Sequence, residues 1–372
     1  MNKFTDGLYI GLISGTSADG IDAALVSFRQ HQPELVCSHL EPFPADLRQR
    51  LTSLFTPGAN QIDLLGQLDV ELGQLFAQAS LNLLSKSGVT KNEIAAIGSH
   101  GQTVRHRPTE RHPFTLQIAD PHYIAEITGI DVIADFRRRD MVLGGQGAPL
   151  APAFHEAFLG HASENRVILN VGGIANITYL PAANVEGALA MDTGPANGLM
   201  DAWIQRRNGF TYDQNGAWAS SGKVIHPLLE NWLQDPYFKL SAPKSTGKEY
   251  FHLAWAEKAG NLTAYAPEDI QASFLELSAT SIANAIAQLA TPVDRVLACG
   301  GGVRNSALMA RLQQLIPCRV QNTGDYGIPP DWVEAMAFAW FAKNHLQRIK
   351  LDLSAFTGAQ NPVLMGSFFP AS

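Results

Sequence analysis

Short apolar runs of strand length alternate along this chain with longer stretches of helical periodicity. Three such runs open the chain, at about 8–13, 22–28 and 34–42. A helical pattern follows at about 62–87, and Gly88 is suited to end it because glycine readily adopts the left-handed conformation found after a helix. The apolar runs 94–98 and 132–134 predict two further strands. This order of elements predicts an α/β fold.

The middle of the chain repeats the plan of its beginning. A strand at 167–171, the turn Gly172-Gly173 and a returning strand at 174–179 are followed by a strand at 188–191. Both halves therefore open with strand, glycine turn, strand, strand, which indicates a distant internal duplication. Two such halves facing each other would form a cleft with one glycine hairpin on each wall. The last third predicts helices and one more strand, at 270–289, 293–298, 305–315 and 331–347.

Length, charge and cysteine content narrow the class of protein. A chain of 372 residues suggests two domains, and a net charge of −7 lacks the basic footprint of a nucleic-acid-binding protein. The start of the chain has no signal-peptide pattern, and its first apolar run is too short to span a bilayer. Three widely spaced cysteines are typical of reduced thiols in a cytoplasmic protein. We therefore expect a cytoplasmic enzyme without membrane or nucleic-acid partners.

Three glycine turns that follow strands are candidate phosphate-binding sites. They are Ser14–Gly20, Gly172-Gly173 and Gly300-Gly301-Gly302. Glycine lets the backbone approach a ligand closely, and consecutive amides can hold a phosphate. The third turn precedes a helix, whose N-terminus also favours anions. Each turn alone is equally consistent with an ordinary tight connection, and the chain has no Walker A sequence.

Asp192 is the candidate general base. It closes the predicted strand 188–191 and begins the sequence Asp192-Thr193-Gly194-Pro195. A carboxylate at the carboxyl end of a strand in an α/β protein can accept a proton from an attacking water or hydroxyl. The alternative is a helix N-cap at Asp192 or Thr193, with Pro195 in the first turn of the helix.

Further polar residues follow the predicted strands at 94–98 and 132–134. Ser99-His100-Gly101-Gln102-Thr103 is rich in groups that bond sugar hydroxyls, and Gln102 and Thr103 are favoured over His100, which has a structural alternative. Arg137 could hold a carboxylate with two hydrogen bonds, as an acidic sugar would require, or belong to a solvated basic run. Glu334 lies near the start of a helix, where a carboxylate is tolerated or could face a ligand.

The motifs together resemble the anhydro-N-acetylmuramic acid kinase family over about 9–356. They are Ser14–Asp22, Ser99–Thr103, Ala134–Arg137, Gly144–Leu150, Asn170–Asn176 and Asp192–Pro195. The resemblance implies a two-lobed actin-like ATPase fold of ribonuclease H-like type, with duplicated βββαβα cores around a central nucleotide cleft. We expect a first lobe of 1–128 with 348–372, and a second lobe of 129–347.

The family resemblance also implies a reaction and its site. Water opens 1,6-anhydro-N-acetylmuramic acid, and the released O6 takes the γ-phosphoryl group of ATP, which gives N-acetylmuramic acid 6-phosphate during peptidoglycan recycling. Asp192 matches the base, and Gln102, Thr103, Arg137 and Glu334 match sugar contacts. The expected ATP-binding residues are Gly15, Thr16, Ser17, Ala18, Asp19, Gly20, Ile21, Asp22, Gly172, Gly173, Asn176, Gly300, Gly301, Gly302 and Asn305. Mg²⁺ and a homodimer are also expected.

Some positions depart from the family pattern. Ala18 stands where a larger apolar residue is common, and Ala196 stands where glycine is common. Many members of the superfamily carry an acidic residue inside the first phosphate strand, where this chain has Leu12-Ile13-Ser14, so Asp19 or Asp192 is the candidate for Mg²⁺. The rival functions are a sugar kinase that acts on a free hydroxyl, and a sugar sensor or filament-forming relative without a catalytic base.

Overall fold

A computed structural model describes residues 7–15, 17–29, 32–183, 185 and 187–372. It divides into two compact units, one formed by the chain up to Phe154 and from Trp332 onwards, the other by His155–Asp331. The strands are β1 (Leu8–Ser14), β2 (Gly20–Ser27), β3 (Glu34–Pro42), β4 (Ile94–Arg107), β5 (Phe114–Ile118), β6 (Val132–Ala134), β7 (Arg166–Val171), β8 (Ile174–Leu180), β9 (Leu189–Pro195), β10 (Arg295–Cys299), β11 (Arg319–Asn322) and β12 (Ser367–Phe369).

The helices account for most of the remaining chain. They are α1 (Ala45–Ser53), α2 (Gln61–Ser87), α3 (Pro121–Thr128), α4 (Arg138–Val142), α5 (Ala151–Leu159), α6 (Asn197–Asn208), α7 (Ala217–Ser221), α8 (His226–Leu233), α9 (Leu253–Ala256), α10 (Pro267–Ala287), α11 (Ser306–Leu315), α12 (Val333–Leu346) and α13 (Ser354–Thr357). Gly88 ends α2 in the left-handed conformation, as the sequence predicts. Among the described residues, no helix is both long enough and apolar enough to span a membrane.

The sheet of the first unit has the order β12-β6-β4-β1-β2-β3, with β5 added to β4. Strand β2 is antiparallel to β1, whereas β4 runs parallel to β1 and β6 runs parallel to β4. Helix α12 packs directly on this sheet because two strand positions carry no side chain. A Cβ atom at Gly11 would lie 1.8 Å from the Ala335 carbonyl, and one at Gly98 would lie 2.1 Å from the Phe338 carbonyl. This close packing fixes where α12 begins, and therefore where Glu334 stands.

The sheet of the second unit has the order β11-β10-β7-β8-β9. Strand β8 is antiparallel to its neighbours, and β10 runs parallel to β7 and β11. Helices α6 and α10 cover it with a core that contains Trp203 and Phe274, and Trp232 stacks on Phe274 with ring centroids 5.0 Å apart. These aromatic side chains are almost fully buried, so they contribute strongly to the hydrophobic stabilisation of this unit.

The two sheets follow the same plan, which confirms the predicted α/β fold with duplicated ribonuclease H-like cores. In each unit three successive strands form an antiparallel meander, and the next core strand returns to pair in parallel with the first of them. The order of the core strands is β3-β2-β1-β4-β6 in one unit and β9-β8-β7-β10-β11 in the other. In both units a glycine turn connects the first two strands of the meander, as the repeated sequence pattern predicts.

The units divide at different residues from the expected lobes. The expected boundaries follow residues 128 and 347, whereas the compact units divide after Phe154 and Asp331. Strand β6 belongs to the first unit because it pairs with β4 and β12. Helix α12 belongs there because it packs on β1 and β4. Arg137 and Glu334 therefore lie in the same unit.

Two strands extend beyond their predicted ends, and this changes the setting of two motifs. Strand β4 continues to Arg107 because β5 pairs with its second half, so Ser99–Thr103 lies inside a strand rather than after one. Strand β9 continues to Pro195, so Asp192 is paired with Asn176 within the sheet. Pro195 is thus in a strand and not in the first turn of a helix, and Ala196 is the N-cap of α6.

Candidate active site

A glutamine from β4 anchors the first glycine turn. Ser14 Oγ donates to Gln102 Oε1 at 2.6 Å, and Gln102 Nε2 donates to the Gly15 carbonyl at 3.2 Å. Gln102 is fully buried, at 0% exposure. A buried amide that bonds the turn on both of its functional groups fixes the backbone of the turn. The residue expected to contact sugar therefore supports the first glycine turn in this structure.

The outer part of the first turn is open. The nearest atom to a Cβ placed on Gly15 would be 3.9 Å away, so the backbone there is accessible to a ligand. Asp19 is exposed, and its Oδ1 accepts a hydrogen bond from Ser17 Oγ at 2.8 Å. Arg48 Nη2 donates to the Ser17 carbonyl at 3.3 Å. Thr16 lies outside the described residues.

The inner part of the first turn is structural. Ala18 is fully buried with a φ of 48°, in the left-handed region that a residue with a Cβ seldom adopts. Gly20 lies against β3, where a Cβ would be 2.7 Å from the Glu41 carbonyl. Ile21 is fully buried in the core, and Asp22 pairs with Leu40 of β3. These residues shape the hairpin, and its ligand-accessible groups are those around Gly15 and Asp19.

The second glycine turn is tied to the start of α6. The Gly173 carbonyl accepts from the amides of Ala196 and Gly198, each at 3.0 Å, and the Gly172 carbonyl accepts from the Asn197 amide at 3.0 Å. A side chain at Gly198 would lie 2.8 Å from the Gly173 carbonyl, so this contact requires glycine. Asn176 lies one strand further, between Asn170 and Asp192 in the sheet. The turn is therefore held rigidly.

The third glycine turn packs closely on β7. A Cβ at Gly300 would lie 2.3 Å from Asn170 Oδ1, and one at Gly302 would lie 2.2 Å from Val171 Cγ1. Gly301 differs, because a Cβ there would meet nothing within 4 Å. Asn305 is the N-cap of α11 and accepts from the Leu308 amide at 3.1 Å. Of the candidate residues in this turn, Gly301 is the one with open space around it.

Asp192 is a half-buried carboxylate with an elevated pKa. Its Oδ2 accepts a hydrogen bond from the Thr246 amide at 2.8 Å, and its backbone amide donates to the Lys244 carbonyl at 3.0 Å. Burial raises the pKa of Asp192 to about 6, the Thr246 hydrogen bond opposes this, and the negative charge of Glu249 adds to it. Within the described part of the chain, Oδ1 has no hydrogen-bond donor. Asp192 is therefore neither helix cap nor ion-pair partner, and it is suited to accept a proton.

Arg137 is held by its own unit on two sides. Its Nη1 donates to the Gly147 carbonyl at 2.7 Å, and its Nε donates to His100 Nε2 at 2.9 Å. Burial lowers the pKa of Arg137 to about 10, while the charges of Glu334 and Asp140 favour the ionised form. Arg137 therefore remains charged at neutral pH. Its remaining guanidinium donors are available to a carboxylate.

The Gly147 carbonyl that holds Arg137 is fixed by a buried aspartate. Asp140 is fully buried and accepts from the Gly147 amide and from Thr357 Oγ1, each at 2.7 Å. Its backbone carbonyl also accepts from the Gly145 amide at 2.9 Å. A glycine is required at 145, because a Cβ there would lie 2.2 Å from Asp140 Oδ2. The glycine-rich segment 144–147 is thus fitted around Asp140.

Glu334 is a carboxylate whose charge acts on Arg137. It is exposed at the start of α12, yet loss of hydration from the surrounding protein raises its pKa, and Arg137 opposes the rise. Thr103 is half-buried, and its Oγ1 accepts from Gln117 Nε2 at 3.1 Å.

His100, which the sequence analysis set behind Gln102 and Thr103 as a ligand contact, bonds the candidate residue Arg137. Its Nδ1 is 3.0 Å from the Gly101 carbonyl, and its Nε2 accepts the hydrogen bond from Arg137. An imidazole that accepts at Nε2 must be neutral and carry its proton on Nδ1. Burial and the charge of Arg137 lower the pKa of His100 well below its usual value, which agrees with this tautomer. In the sequence, the signal for His100 was its place within the polar motif Ser99–Thr103.

The described residues contain no group of three or more histidine, cysteine, aspartate or glutamate side chains that could hold a metal ion. A nucleotide-bound Mg²⁺ needs only one or two protein carboxylates, because phosphates and water complete its shell. The exposed carboxylate of Asp19 has the hard oxygen donors that Mg²⁺ prefers. Its chemistry fits such a role, and so does that of Asp192.

The fold is a duplicated ribonuclease H-like one, each unit has a glycine turn, and Asp192 is a separate candidate base. The model of the anhydro-N-acetylmuramic acid kinase family matches residues 7–371. Anhydro-N-acetylmuramic acid kinase of Shewanella halifaxensis is 50% identical over 98% of both chains, and that of Coxiella burnetii is 49% identical over 97% of both. The chain belongs to this family of kinases.

Solved structures match at lower similarity. The activator of 2-hydroxyisocaproyl-CoA dehydratase from Clostridium difficile shares 12% identity with this chain, with a TM-score of 0.47 over 92% of this chain and 96% of that one.

Proposed function

We propose that this kinase converts 1,6-anhydro-N-acetylmuramic acid, water and ATP into N-acetylmuramic acid 6-phosphate and ADP. Family membership supports the substrate. The observation that carries the proposal is Asp192, whose pKa near 6 makes it ionised at neutral pH and basic enough to take a proton from water. In the proposed reaction the base deprotonates a water, whereas in a kinase that acts on a free sugar hydroxyl the base would deprotonate that hydroxyl. The product is of the kind used in recycling of cell-wall sugars in the cytoplasm.

The bonds that change can be assigned to the residues described. Asp192 takes a proton from water while the water oxygen bonds to C1, and the C1–O6 bond of the bridged sugar breaks. O6 then bonds to the γ-phosphorus of ATP, and the bond from this phosphorus to the β-phosphate oxygen breaks. Asp192 afterwards releases the proton to solvent. Every atom of water, sugar and ATP is accounted for in the two products and the released proton.

The remaining residues have binding roles in this proposal. The amides of the glycine turns would hold phosphate oxygens, and Mg²⁺, held by Asp19 or Asp192, would offset the phosphate charge. Arg137 would hold the lactyl carboxylate of the sugar, because its position and charge are fixed in advance by His100 and Gly147. Glu334 would accept hydrogen bonds from sugar hydroxyls. A homodimer is expected from the family resemblance.

Turnover in ¹⁸O-labelled water tests the reaction. Mass spectrometry should find one labelled oxygen at C1 of the sugar phosphate and none in the transferred phosphoryl group. A parallel incubation of unlabelled product in the same water corrects for exchange at C1. Product without label would favour phosphorylation of a free hydroxyl, and label in free phosphate alone would indicate an ATPase.

A further inference from the structure

The loop Pro243–Glu249 brings a lysine onto the second glycine turn. A Cβ placed on Gly173 would lie 2.3 Å from Lys248 Cε and 3.1 Å from its Nζ. The side chain of Lys248 therefore occupies the space that a side chain at residue 173 would need. We propose that Lys248 is a phosphate-binding residue, whose ammonium group contacts the ATP phosphates held at the Gly172-Gly173 turn; this rests on the ATP-dependent function proposed above.

The ammonium group of Lys248 is exposed, and in the described part of the chain it makes no hydrogen bond. Asp201 of α6 is close enough for the charge of Lys248 to oppose the rise that burial causes in its pKa. A lysine without a bonded acceptor keeps all three N–H donors for a ligand.

The same loop also holds the candidate base. The Thr246 amide donates to Asp192 Oδ2 at 2.8 Å, and the Lys244 carbonyl accepts from the Asp192 amide at 3.0 Å. Lys248 follows Thr246 by two residues, so one short segment sets the positions of the base and of a cation. A cation placed beside the turn would offset the phosphate charge during phosphoryl transfer, as lysines do in other kinases.

The Gly173 backbone is suited to such an arrangement. Its carbonyl is taken by the amides of Ala196 and Gly198, so it does not compete with phosphate for the ammonium group. The absence of a side chain at 173 lets Lys248 lie directly over the turn. Glycine at 173 therefore leaves this space to the lysine, at a position whose φ is not left-handed.

Binding of ATP, ADP and adenosine to the wild-type protein and to K248M tests the proposal by calorimetry. We expect K248M to bind ATP about 10- to 100-fold more weakly, which is the range for loss of a hydrogen bond to a charged group. Adenosine affinity should change less than about twofold, because adenosine has no phosphate. K248R should keep most of the ATP affinity. K258M, which removes an exposed lysine elsewhere in the same unit, is the matched control and should bind like wild type.

A double-mutant cycle adds a readout that a structural role would not give. G173A should displace Lys248 and weaken ATP binding, and it should cause little further loss in K248M. Equal ATP affinity of wild type and K248M, or an equal loss for adenosine, would overturn the role of Lys248. Failure of the wild-type protein to bind ATP would instead contradict the proposed function. Thermal unfolding of each variant separates these outcomes from misfolding.

Discussion

Each unit of this protein partly shields one charged candidate residue from water, and the surroundings of the two charges differ. Arg137 donates to the Gly147 carbonyl and to His100, and Glu334 adds an opposite charge. Asp192 receives one amide, from Thr246, and has a like charge near it in Glu249. Arg137 therefore stays ionised at neutral pH in spite of its burial, whereas burial raises the pKa of Asp192 to about 6.

The difference corresponds to two kinds of task. A group that recognises an anion must keep its charge, so surrounding acceptors and carboxylates are an advantage to it. A group that takes and returns a proton must be able to exist in both forms near neutral pH, so few donors are an advantage. This difference agrees with the proposed function, in which the Arg137 cluster recognises the sugar and Asp192 takes the proton. Substitutions that alter one property at a time test this assignment.

The largest expected effect is on the rate constant of D192N. An asparagine keeps the size of the side chain and can accept from the Thr246 amide, but it cannot take a proton. We expect kcat to fall at least about 100-fold, with sugar and ATP still bound. Steady-state kinetics and calorimetric binding of both substrates measure the two quantities. Near-normal turnover would exclude Asp192 as the base and would remove the contrast between the two sites.

R137M should have the next largest effect, on substrate recognition. Loss of the guanidinium should raise KM for anhydro-N-acetylmuramic acid about 10- to 100-fold and leave KM for ATP nearly unchanged. The neutral analogue 1,6-anhydro-N-acetylglucosamine lacks the lactyl carboxylate and should be affected much less. R139M removes an exposed neighbouring arginine of α4 and serves as the control. Equal losses for the acidic and the neutral sugar would show that Arg137 does not read the carboxylate.

The sequence predicted the framework well because the framework depends on local patterns. Buried strands such as β1 and β7 are continuous apolar runs, and the turns between paired strands are marked by glycine. The ends of β4 and β9 were predicted too early. The observed ends are set by pairing with β5 and β8, which lie elsewhere along the chain. The prediction ended each strand where polar residues interrupt the apolar run.

The arrangement of the candidate site was less predictable. Gln102 and His100 lie two residues apart in the same strand, yet one supports the first glycine turn and the other holds Arg137. Residue type favoured Gln102 as the ligand contact, and only the tertiary partners separate the two roles. Lys248 gave no signal either, because it lies 75 positions after Gly173 along the chain. No local pattern of the sequence encodes a contact over that separation.

The hydrogen bond from Arg137 to His100 predicts a smaller effect. H100A removes the acceptor at Nε2, so the guanidinium loses one of its two fixed contacts. We expect KM for the acidic sugar to rise about 5- to 10-fold, which corresponds to one hydrogen bond. H100Q can place Oε1 near the former Nε2 and should recover part of the loss. If H100A and H100Q were equally impaired for ATP and sugar, His100 would have a general packing role instead.

The smallest expected effect is on stability, and it concerns Asp192 again. Its pKa is raised in the folded protein, so the folded state holds the proton more tightly than the unfolded chain does. The ionised carboxylate therefore costs stability as pH rises from about 4 to about 6, and the full cost is present above that range. D192N removes this cost while keeping an acceptor for the Thr246 amide. It should unfold a few degrees above wild type at pH 7.5.

The pH dependence of that gain is the decisive part. At pH 5 Asp192 is mostly protonated in the folded protein, so the gain should fall to roughly half of its value at pH 7.5. Calorimetric melting of wild type and D192N at both pH values measures it. K258M, which removes an exposed lysine of the same unit, is the matched control, and its change in melting temperature should be the same at both pH values. A gain in D192N that does not depend on pH would mean that folding does not raise the pKa of Asp192. The contrast between Asp192 and Arg137 would then be lost.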